Sequence, residues 1–191
     1  MACEIPADKT ALRVAMRATR RELARADEAA AERAAEAFPA ELLTRFGVVA
    51  GYRAVGAELD PAPLMRRLRR AGAPIVLPAA VARDQPLVFL VAGDPSGFVP
   101  DALGILAPPS SAVERTPQLV IVPVLAFDRR GGRLGQGAGC YDRTLESLRA
   151  AGPVFALGLA YAGQEYADLP LQPHDQRLDA ILTERGYIEV E

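Results

Sequence analysis

"QLVIVPVLAF", residues 118–127, is apolar at almost every position. A strand with one solvated face alternates apolar and polar residues, whereas a continuous apolar run is typical of a parallel sheet that is covered on both faces. Pro123 has no N–H for the hydrogen-bonding ladder, so we expect a bulge or a strand end there. The run therefore predicts a central strand of an α/β sheet.

Further strand and helix signals alternate on both sides of this run. The other predicted strands cover residues 46–52, 73–79, 86–92 and 153–161, with two short strands around residues 184–186 at the end of the chain. The predicted helices are one long helix over residues 8–37, a second that starts near residue 60 and stops at residue 72, and a third over residues 141–151. Residues 93–118 contain five prolines and predict a long surface connection with one turn of helix.

The helix boundaries rest on residues that start or stop helices. Asp8 is a candidate N-cap and Pro39 lies just past the end of the first helix. Asp60 is a candidate cap with Pro61 in the first turn, and Gly72 is the stop. Strands that alternate with helices form a mostly parallel sheet with right-handed crossovers. We therefore expect one α/β domain over residues 1–191, with an open sheet flanked by helices and ligands beyond the carboxyl ends of the strands.

Composition excludes several classes of protein. The net charge of −2 argues against a dedicated nucleic-acid binder. No apolar run reaches the roughly 18 residues that cross a bilayer, and the N-terminus shows no secretory signal. Cys3 and Cys140 give no disulfide framework, which fits a reducing cytosol, so we expect a cytoplasmic protein. No pattern reports the oligomeric state, and a monomer is the expectation.

The segment after the central run, "DRRGGRLGQGAGCYDRTL" (residues 128–145), carries the strongest functional signal. Gly135, Gly137 and Gly139 alternate just before a predicted helix, where free backbone amides and the helix dipole can converge on an anion such as phosphate. The loop lacks the terminal Gly-Lys-Ser/Thr of a Walker loop, and Cys140 replaces the third glycine of a dinucleotide fingerprint.

Charged residues at the two ends of this loop are consistent with a site for phosphate and a metal ion. Arg133 can donate two parallel hydrogen bonds to phosphate oxygens. Asp142 would repel the phosphate unless a Mg²⁺ ion lay between the carboxylate and the phosphate. Asp175, in "HDQRLD" (residues 174–179), is a candidate second carboxylate for that ion. Two simpler interpretations stay open: a flexible hairpin in which Asp142 only caps the helix, and an ordinary solvated loop around Asp175.

Lys9 and Cys140 each permit two interpretations. Lys9 is the sole lysine among 22 cationic residues, which indicates either codon bias or a phosphate contact that needs a compact charge. Cys140, near a helix N-terminus, could be a nucleophile with His174, the sole histidine, as its base.

Four ordered motifs resemble those of the 5-formyltetrahydrofolate cyclo-ligases, also called 5,10-methenyltetrahydrofolate synthetases. They are "PVLAFDRRGGRLGQGAGCYD" at residues 123–142, the Lys9-x-x-x-Arg13 pair, the Glu58-x-Asp60 pair and "HDQRLD" at residues 174–179. The resemblance implies a Rossmann-like α/β fold and an enzyme that uses ATP and Mg²⁺. The implied reaction converts 5-formyltetrahydrofolate to 5,10-methenyltetrahydrofolate, with ADP and phosphate as the other products.

The resemblance also implies roles for individual residues. Arg133 and Asp142 are implied catalytic residues, and Asp142 and Asp175 are implied magnesium ligands. Tyr52, Val55, Glu58 and Cys140 are implied to lie on the folate side. The implied ATP contacts are Lys9, Arg13, Arg133, Leu134, Gly135, Gln136, Gly137, Ala138, Gly139 and Tyr141.

The chain departs from the family pattern in two aromatic positions. Cys140 stands where the family usually has the first of two tyrosines, and the chain lacks the tryptophan that follows the third strand in many bacterial relatives. Lost ring contacts weaken pterin binding, so a nucleotide-binding relative with a lost or changed folate substrate is the alternative function.

Overall fold

The computed structural model describes residues 8–190, and Cys3 and the rest of the N-terminal stretch lie outside them. The chain forms a seven-stranded sheet in the order β11-β10-β9-β6-β1-β2-β3. The five central strands are parallel, and the edge strands β3 and β11 are antiparallel to their neighbours. The expected open, mostly parallel α/β sheet is therefore confirmed.

The sheet strands have the following bounds: β1 is Val49–Ala50, β2 is Ile75–Ala80, β3 is Leu87–Val91, β6 is Leu119–Pro123, β9 is Phe155–Leu159, β10 is Ala180–Thr183 and β11 is Gly186–Glu189. The helices are α1, Lys9–Ala26; α2, Ala30–Ala37; α3, Ala62–Arg70; and α4, Cys140–Ala151. Two small antiparallel ribbons complete the fold, namely β4 (Val99–Pro100) with β5 (Leu106–Ala107), and β7 (Ala126–Phe127) with β8 (Arg133–Leu134).

The central run buries both faces of the sheet, as its continuous apolar character predicts. Leu119 and Ile121 pack with α2 and α3 on one face, whereas Val120 and Val122 pack with α4 on the other. The run ends as a sheet strand at Pro123, so the predicted strand end is confirmed. The single strand predicted over residues 118–127 is wrong, because the chain turns after Pro123 and starts the separate β7–β8 ribbon.

The predicted single helix over residues 8–37 is also wrong, because the chain breaks between Ala26 and Ala30. Asp27 leaves the helical conformation with φ −147° and ψ 84°, and Arg33 forms an ion pair with it across the break. Neither proline nor glycine marks this break in the sequence. Its reason is tertiary: α1 packs on the β7–β8 ribbon, whereas α2 packs on α3 and β10.

Most other boundaries agree with the sequence. The side chain of Asp8 accepts a hydrogen bond from the Thr10 amide at 2.9 Å, and Asp60 accepts one from Ala62 at 2.9 Å. Gly72 has a positive φ of 100° just after α3, a conformation that favours glycine. Residues 93–118 contain the expected helical turn at Pro95–Gly97, and also the unpredicted β4–β5 ribbon.

The strand order reverses between β1 and β6. The chain runs from β1 outward to β2 and β3, and later from β6 outward in the other direction to β9 and β10. Ligands in open α/β sheets bind in the crevice outside the carboxyl ends of the strands at such a reversal. No helix among residues 8–190 is long and apolar enough to cross a membrane.

Candidate active site

A cleft of about 620 Å³ opens at this reversal of strand order. Tyr52, which follows β1, and Val124, which follows β6, both line it. Every residue that the sequence and the resemblance singled out as a site residue lines this one cleft. These residues are Lys9, Arg13, Tyr52, Val55, Glu58, Arg133, Leu134, Gly135, Gln136, Gly137, Ala138, Gly139, Cys140, Tyr141, Asp142 and Asp175.

The glycine loop leads directly into α4. Gly137 and Gly139 have positive φ values of 106° and 67°, which side chains with a Cβ rarely adopt. A Cβ on Gly135 would meet no heavy atom within 4 Å, so the backbone there is open to an approaching group. The loop thus presents open backbone at Gly135, close to the positive end of a helix dipole, an arrangement that suits an anion.

Helix α1 lies against this loop because its apolar residues pack on the ribbon beneath it. Leu12 and Met16 share a buried cluster with Leu134 of β8. This packing lets Arg13 Nε donate to the Gly135 carbonyl at 3.0 Å, while Arg17 Nε donates to Gln136 Oε1 at 2.9 Å. The cations of α1 therefore stand over the loop that is predicted to hold phosphate.

Arg133 and Asp142 form an ion pair of 2.6 Å at the end of the loop. Burial lowers the pKa of Arg133, while the charges of Asp142 and Asp175 raise it, and an arginine remains charged at neutral pH in any case. Arg133 Nη1 is buried and has no hydrogen-bond partner among residues 8–190. A buried guanidinium with a spare N–H is a strong donor for a phosphate oxygen.

Asp142 does not cap α4, so the interpretation in which this residue is only a helix cap is excluded. The N-cap is Gly139, without a side-chain cap, and Asp142 Oδ1 accepts from Arg133 and from the Gln176 amide at 2.9 Å. This second bond brings the segment that follows Asp175 against the first turn of α4. The structure therefore brings the two predicted carboxylates to one corner of the cleft.

Asp175 is held by Lys9 at 2.7 Å and by the Gln172 amide at 2.7 Å. Burial raises the pKa of this carboxyl, but the bonds from Lys9 and Gln172 outweigh burial and hold the pKa below its usual range. Asp175 is therefore an anion at neutral pH, and its contact with Lys9 shows that it is more than solvated surface.

Arg149 of α4 fixes the backbone around Asp175 from outside the cleft. It donates to Gln176 Oε1 at 3.0 Å, to the Arg177 carbonyl at 2.8 Å and to Asp179 Oδ2 at 3.0 Å. Asp142 and Arg149, seven residues apart on α4, thus hold the same segment.

The opposite wall of the cleft is mostly apolar. The β4–β5 ribbon contributes Ile105 and Leu106, and β2 contributes Leu77 and Pro78. Burial raises the pKa of Tyr52 and of Tyr141, so both phenols remain protonated at neutral pH. This half of the cleft suits a flat, largely apolar ligand, whereas the half beside the glycine loop suits a polyanion.

Sequence reasoning missed several residues of the cleft. Arg17 and Arg20 follow Lys9 and Arg13 at helical spacing, so the three- and four-residue repeat of cations was a usable signal. The wall from the β4–β5 ribbon had no such signal, because its strands contain only two residues each.

The comparisons with known proteins agree with this architecture. Residues 5–184 match the family model described as the 5-formyltetrahydrofolate cyclo-ligase family. The chain belongs to this family. The prediction that it is an enzyme, a cyclo-ligase, is thereby confirmed.

Individual relatives cover most of the chain. A 5-formyltetrahydrofolate cyclo-ligase of Mycolicibacterium smegmatis is 33% identical over an alignment of 192 positions, which covers 96% of this chain and 97% of the relative. The enzyme of the same name from Escherichia coli K12 is 34% identical over 142 residues, 71% of this chain and 76% of the relative.

Solved structures of 5,10-methenyltetrahydrofolate synthetases share the fold. The protein from Aquifex aeolicus superposes with a TM-score of 0.73 at 23% identity, over 96% of this chain and 93% of its own. The protein from Mycoplasma pneumoniae superposes with a TM-score of 0.68 at 22% identity, over 93% of this chain and 99% of its own.

Replacing Lys9 by alanine is expected to weaken ATP binding about tenfold, which is ~1.4 kcal/mol. The variant loses the compact charge that is predicted to contact phosphate, and Asp175 loses its ion-pair partner. Calorimetric titration with ATP measures the effect, and Arg25→Ala, an exposed cation in the last turn of α1, is the control. An unchanged dissociation constant would show that Lys9 does not contact the nucleotide.

Replacing Cys140 by serine is expected to leave turnover intact. Cys140 Sγ lies 3.9 Å from Arg143 Nη2, and no hydrogen bond joins it to His174 within residues 8–190. His174 is 71% exposed and faces Asp175, so the pair does not form a nucleophile with its base. Loss of turnover in both Cys140→Ser and Cys140→Ala would restore the thiol mechanism.

Proposed function

We propose that this enzyme converts 5-formyltetrahydrofolate to 5,10-methenyltetrahydrofolate and releases ADP and phosphate from ATP, in a Mg²⁺-dependent reaction in the cytoplasm. The observation that carries the proposal is the division of one cleft into two chemically different halves. One half has the glycine loop, a buried arginine and two carboxylates; the other has mostly apolar walls, with Glu58 and Asp101 as its carboxylates.

The polar half fits the triphosphate of ATP. Residues 134–139 would supply backbone contacts, and Arg133 would supply its unpaired N–H. Lys9 and Arg13 would add charge from α1. Each of these groups is already placed by packing or by a hydrogen bond, so little ordering entropy is lost when the nucleotide binds.

The donor chemistry at Asp142 and Asp175 fits magnesium. No group of three or more His, Cys, Asp or Glu side chains that could hold a metal occurs in the part of the chain that the structure describes. Two carboxylates with phosphate oxygens and water are the usual magnesium set, so the ion would arrive with the nucleotide. It would neutralise charge on the transferred phosphoryl group.

The ion pairs of the two carboxylates keep this corner neutral before the nucleotide binds. Asp142 pairs with Arg133 and Asp175 pairs with Lys9. In the proposed complex Arg133 Nη1 and Lys9 would donate to phosphate oxygens, and Asp142 and Asp175 would hold the metal. Each carboxylate would then be compensated by the metal and each cation by phosphate, so no carboxylate would be left unpaired in a partly buried site.

The apolar half would hold the reduced folate. Tyr52, Val55 and Cys140 would line it, and Glu58 would accept hydrogen bonds from ring N–H groups. In the proposed reaction the formyl oxygen attacks the γ-phosphate, and N10 then closes the ring as phosphate leaves. An amide-like oxygen is a poor leaving group until it is phosphorylated, so catalysis is mainly positioning and charge neutralisation.

The test is a direct assay with 5-formyltetrahydrofolate, ATP and Mg²⁺, followed by the absorbance of the methenyl product. We expect product in proportion to enzyme and none without ATP. ATP binding by calorimetry without folate-dependent turnover would instead support the alternative, a relative that kept the nucleotide site and lost the folate reaction. Absence of both would refute the proposed function.

A further inference from the structure

Arg20 is a buried cation of the cleft to which neither the sequence motifs nor the proposed reaction gives a role. It lies in the middle of α1 and is only 7% exposed. Its Nη1 lies 3.5 Å from Glu58 Oε1, and its Nε has no hydrogen-bond partner within residues 8–190. A charge buried to this degree requires a compensating partner, and Glu58 is the carboxylate in ion-pair contact with it.

Glu58 is itself held from two sides. Its Oε2 accepts from the Val55 amide at 2.9 Å, and its Oε1 faces Arg20. The side chain of Glu58 is 11% exposed and lines the cleft. The carboxylate therefore reaches the cleft in one fixed orientation, set by its own turn and by α1.

We propose that Arg20 is a positioning residue, whose guanidinium keeps Glu58 charged and correctly aimed for the reduced folate. The inference rests on the proposed function for the identity of the ligand. Arg20 would act through Glu58 and through no contact with the reacting atoms.

The electrostatic surroundings of Glu58 explain why it needs this partner. Burial raises the pKa of the Glu58 carboxyl, and the Val55 amide and Arg20 lower it again in part. The other ionisable groups that face it are Tyr52, on its own segment, and Tyr141, on α4. Both phenols are neutral at pH 7, so Arg20 supplies the positive charge there.

This arrangement predicts the direction in which the pKa of Glu58 changes when Arg20 is removed. A carboxyl with a raised pKa loses its negative charge as the pH falls through that value. Removing an opposite charge in contact raises the pKa further, by about one to three pH units. Glu58 in an enzyme without Arg20 would therefore become protonated nearer to neutral pH and would lose its capacity to accept two N–H bonds.

The primary experiment reads Glu58 directly and does not depend on turnover. Protein labelled with ¹³C at the glutamate side-chain carboxyl is titrated by NMR, and Glu58→Gln assigns the resonance. We expect Arg20→Met to raise the pKa of Glu58 by about one unit or more. Arg20→Lys, which keeps the charge, and Arg21→Met, which removes the exposed neighbouring cation, should leave it close to the wild-type value.

The kinetic experiment separates positioning from general stability. Arg20→Met is expected to raise the KM for 5-formyltetrahydrofolate by about tenfold at neutral pH, to leave the KM for ATP unchanged, and to approach wild type at higher pH. In the Glu58→Gln background the same substitution should not raise the KM for 5-formyltetrahydrofolate further, because the effects of two residues that act through one another are not additive. Arg20→Gln gives the same comparison if the methionine variant lacks a cooperative melting transition.

Either of two results would overturn the proposal. One is an unchanged Glu58 titration in the neutral Arg20 variant, and the other is an equal loss of folate affinity with and without Glu58. If wild-type enzyme forms no methenyl product, the proposed function fails, whereas the NMR titration still decides whether Arg20 controls Glu58.

Discussion

Asp142→Asn is expected to lower kcat by about 100- to 1,000-fold while the fold survives. Asparagine keeps the oxygen that accepts from Arg133 and from the Gln176 amide, so both contacts of the first turn of α4 can persist. What it removes is the negative charge that the magnesium proposal requires. The loss should therefore appear in turnover and in magnesium dependence, with little change in the melting temperature.

The measurement is steady-state turnover at several Mg²⁺ concentrations, with Glu146→Gln as the matched control. Glu146 lies on the same helix but is exposed and outside the cleft. The wild type should reach half-maximal activity at a lower Mg²⁺ concentration than the asparagine variant. A normal kcat in Asp142→Asn would show that the metal, or the reaction, lies elsewhere.

Arg133→Ala is expected to lower kcat/KM by roughly 1,000-fold, the loss typical when a guanidinium that neutralises a transferred phosphoryl group is removed. The Arg133 side chain is 5% exposed, and its Nη2 forms an ion pair with Asp142. Its Nη1 has no hydrogen-bond partner within residues 8–190. A buried guanidinium with a spare donor at the edge of the cleft is suited to binding an anionic ligand.

A set of variants distinguishes this role from a purely structural one. Arg133→Lys keeps the charge but not the planar fork, so it should recover only part of the lost activity. Arg129→Ala removes an exposed arginine that pairs with Glu165 outside the cleft, and should keep full activity. Equal activity of the lysine variant and the wild type would show that Arg133 acts only as a charge.

The residues that would share one cleft were more predictable from sequence than the details of the fold. The glycines, Arg133 and Asp142 lie within one short segment, so their common location follows from chain connectivity alone. The phosphate preference of such a loop depends on backbone geometry and on the helix dipole, and both are local. The resemblance added Glu58, which no local pattern would have selected.

The incorrect predictions share one cause, which is that the deciding contacts are distant in sequence. The end of α1 at Ala26 carries no proline or glycine, and the break follows because α1 and α2 bury their apolar faces against different elements. The strand predicted over residues 118–127 divides because the chain leaves the sheet after Pro123 to pair with residues 133–134. Local sequence propensity predicts neither the packing that ends α1 nor the pairing that divides the strand.

The sequence by itself determined the class of sheet, the position of the glycine loop and the residue types that the loop offers, because hydrophobic pattern and glycine spacing act locally. Only the tertiary structure decided which charges meet. Lys9 pairs with Asp175 over 166 residues of chain, and Arg20 meets Glu58 in the same cleft. Such pairs form only where packing brings separate elements together, since a partly buried charge is stable only beside a compensating one.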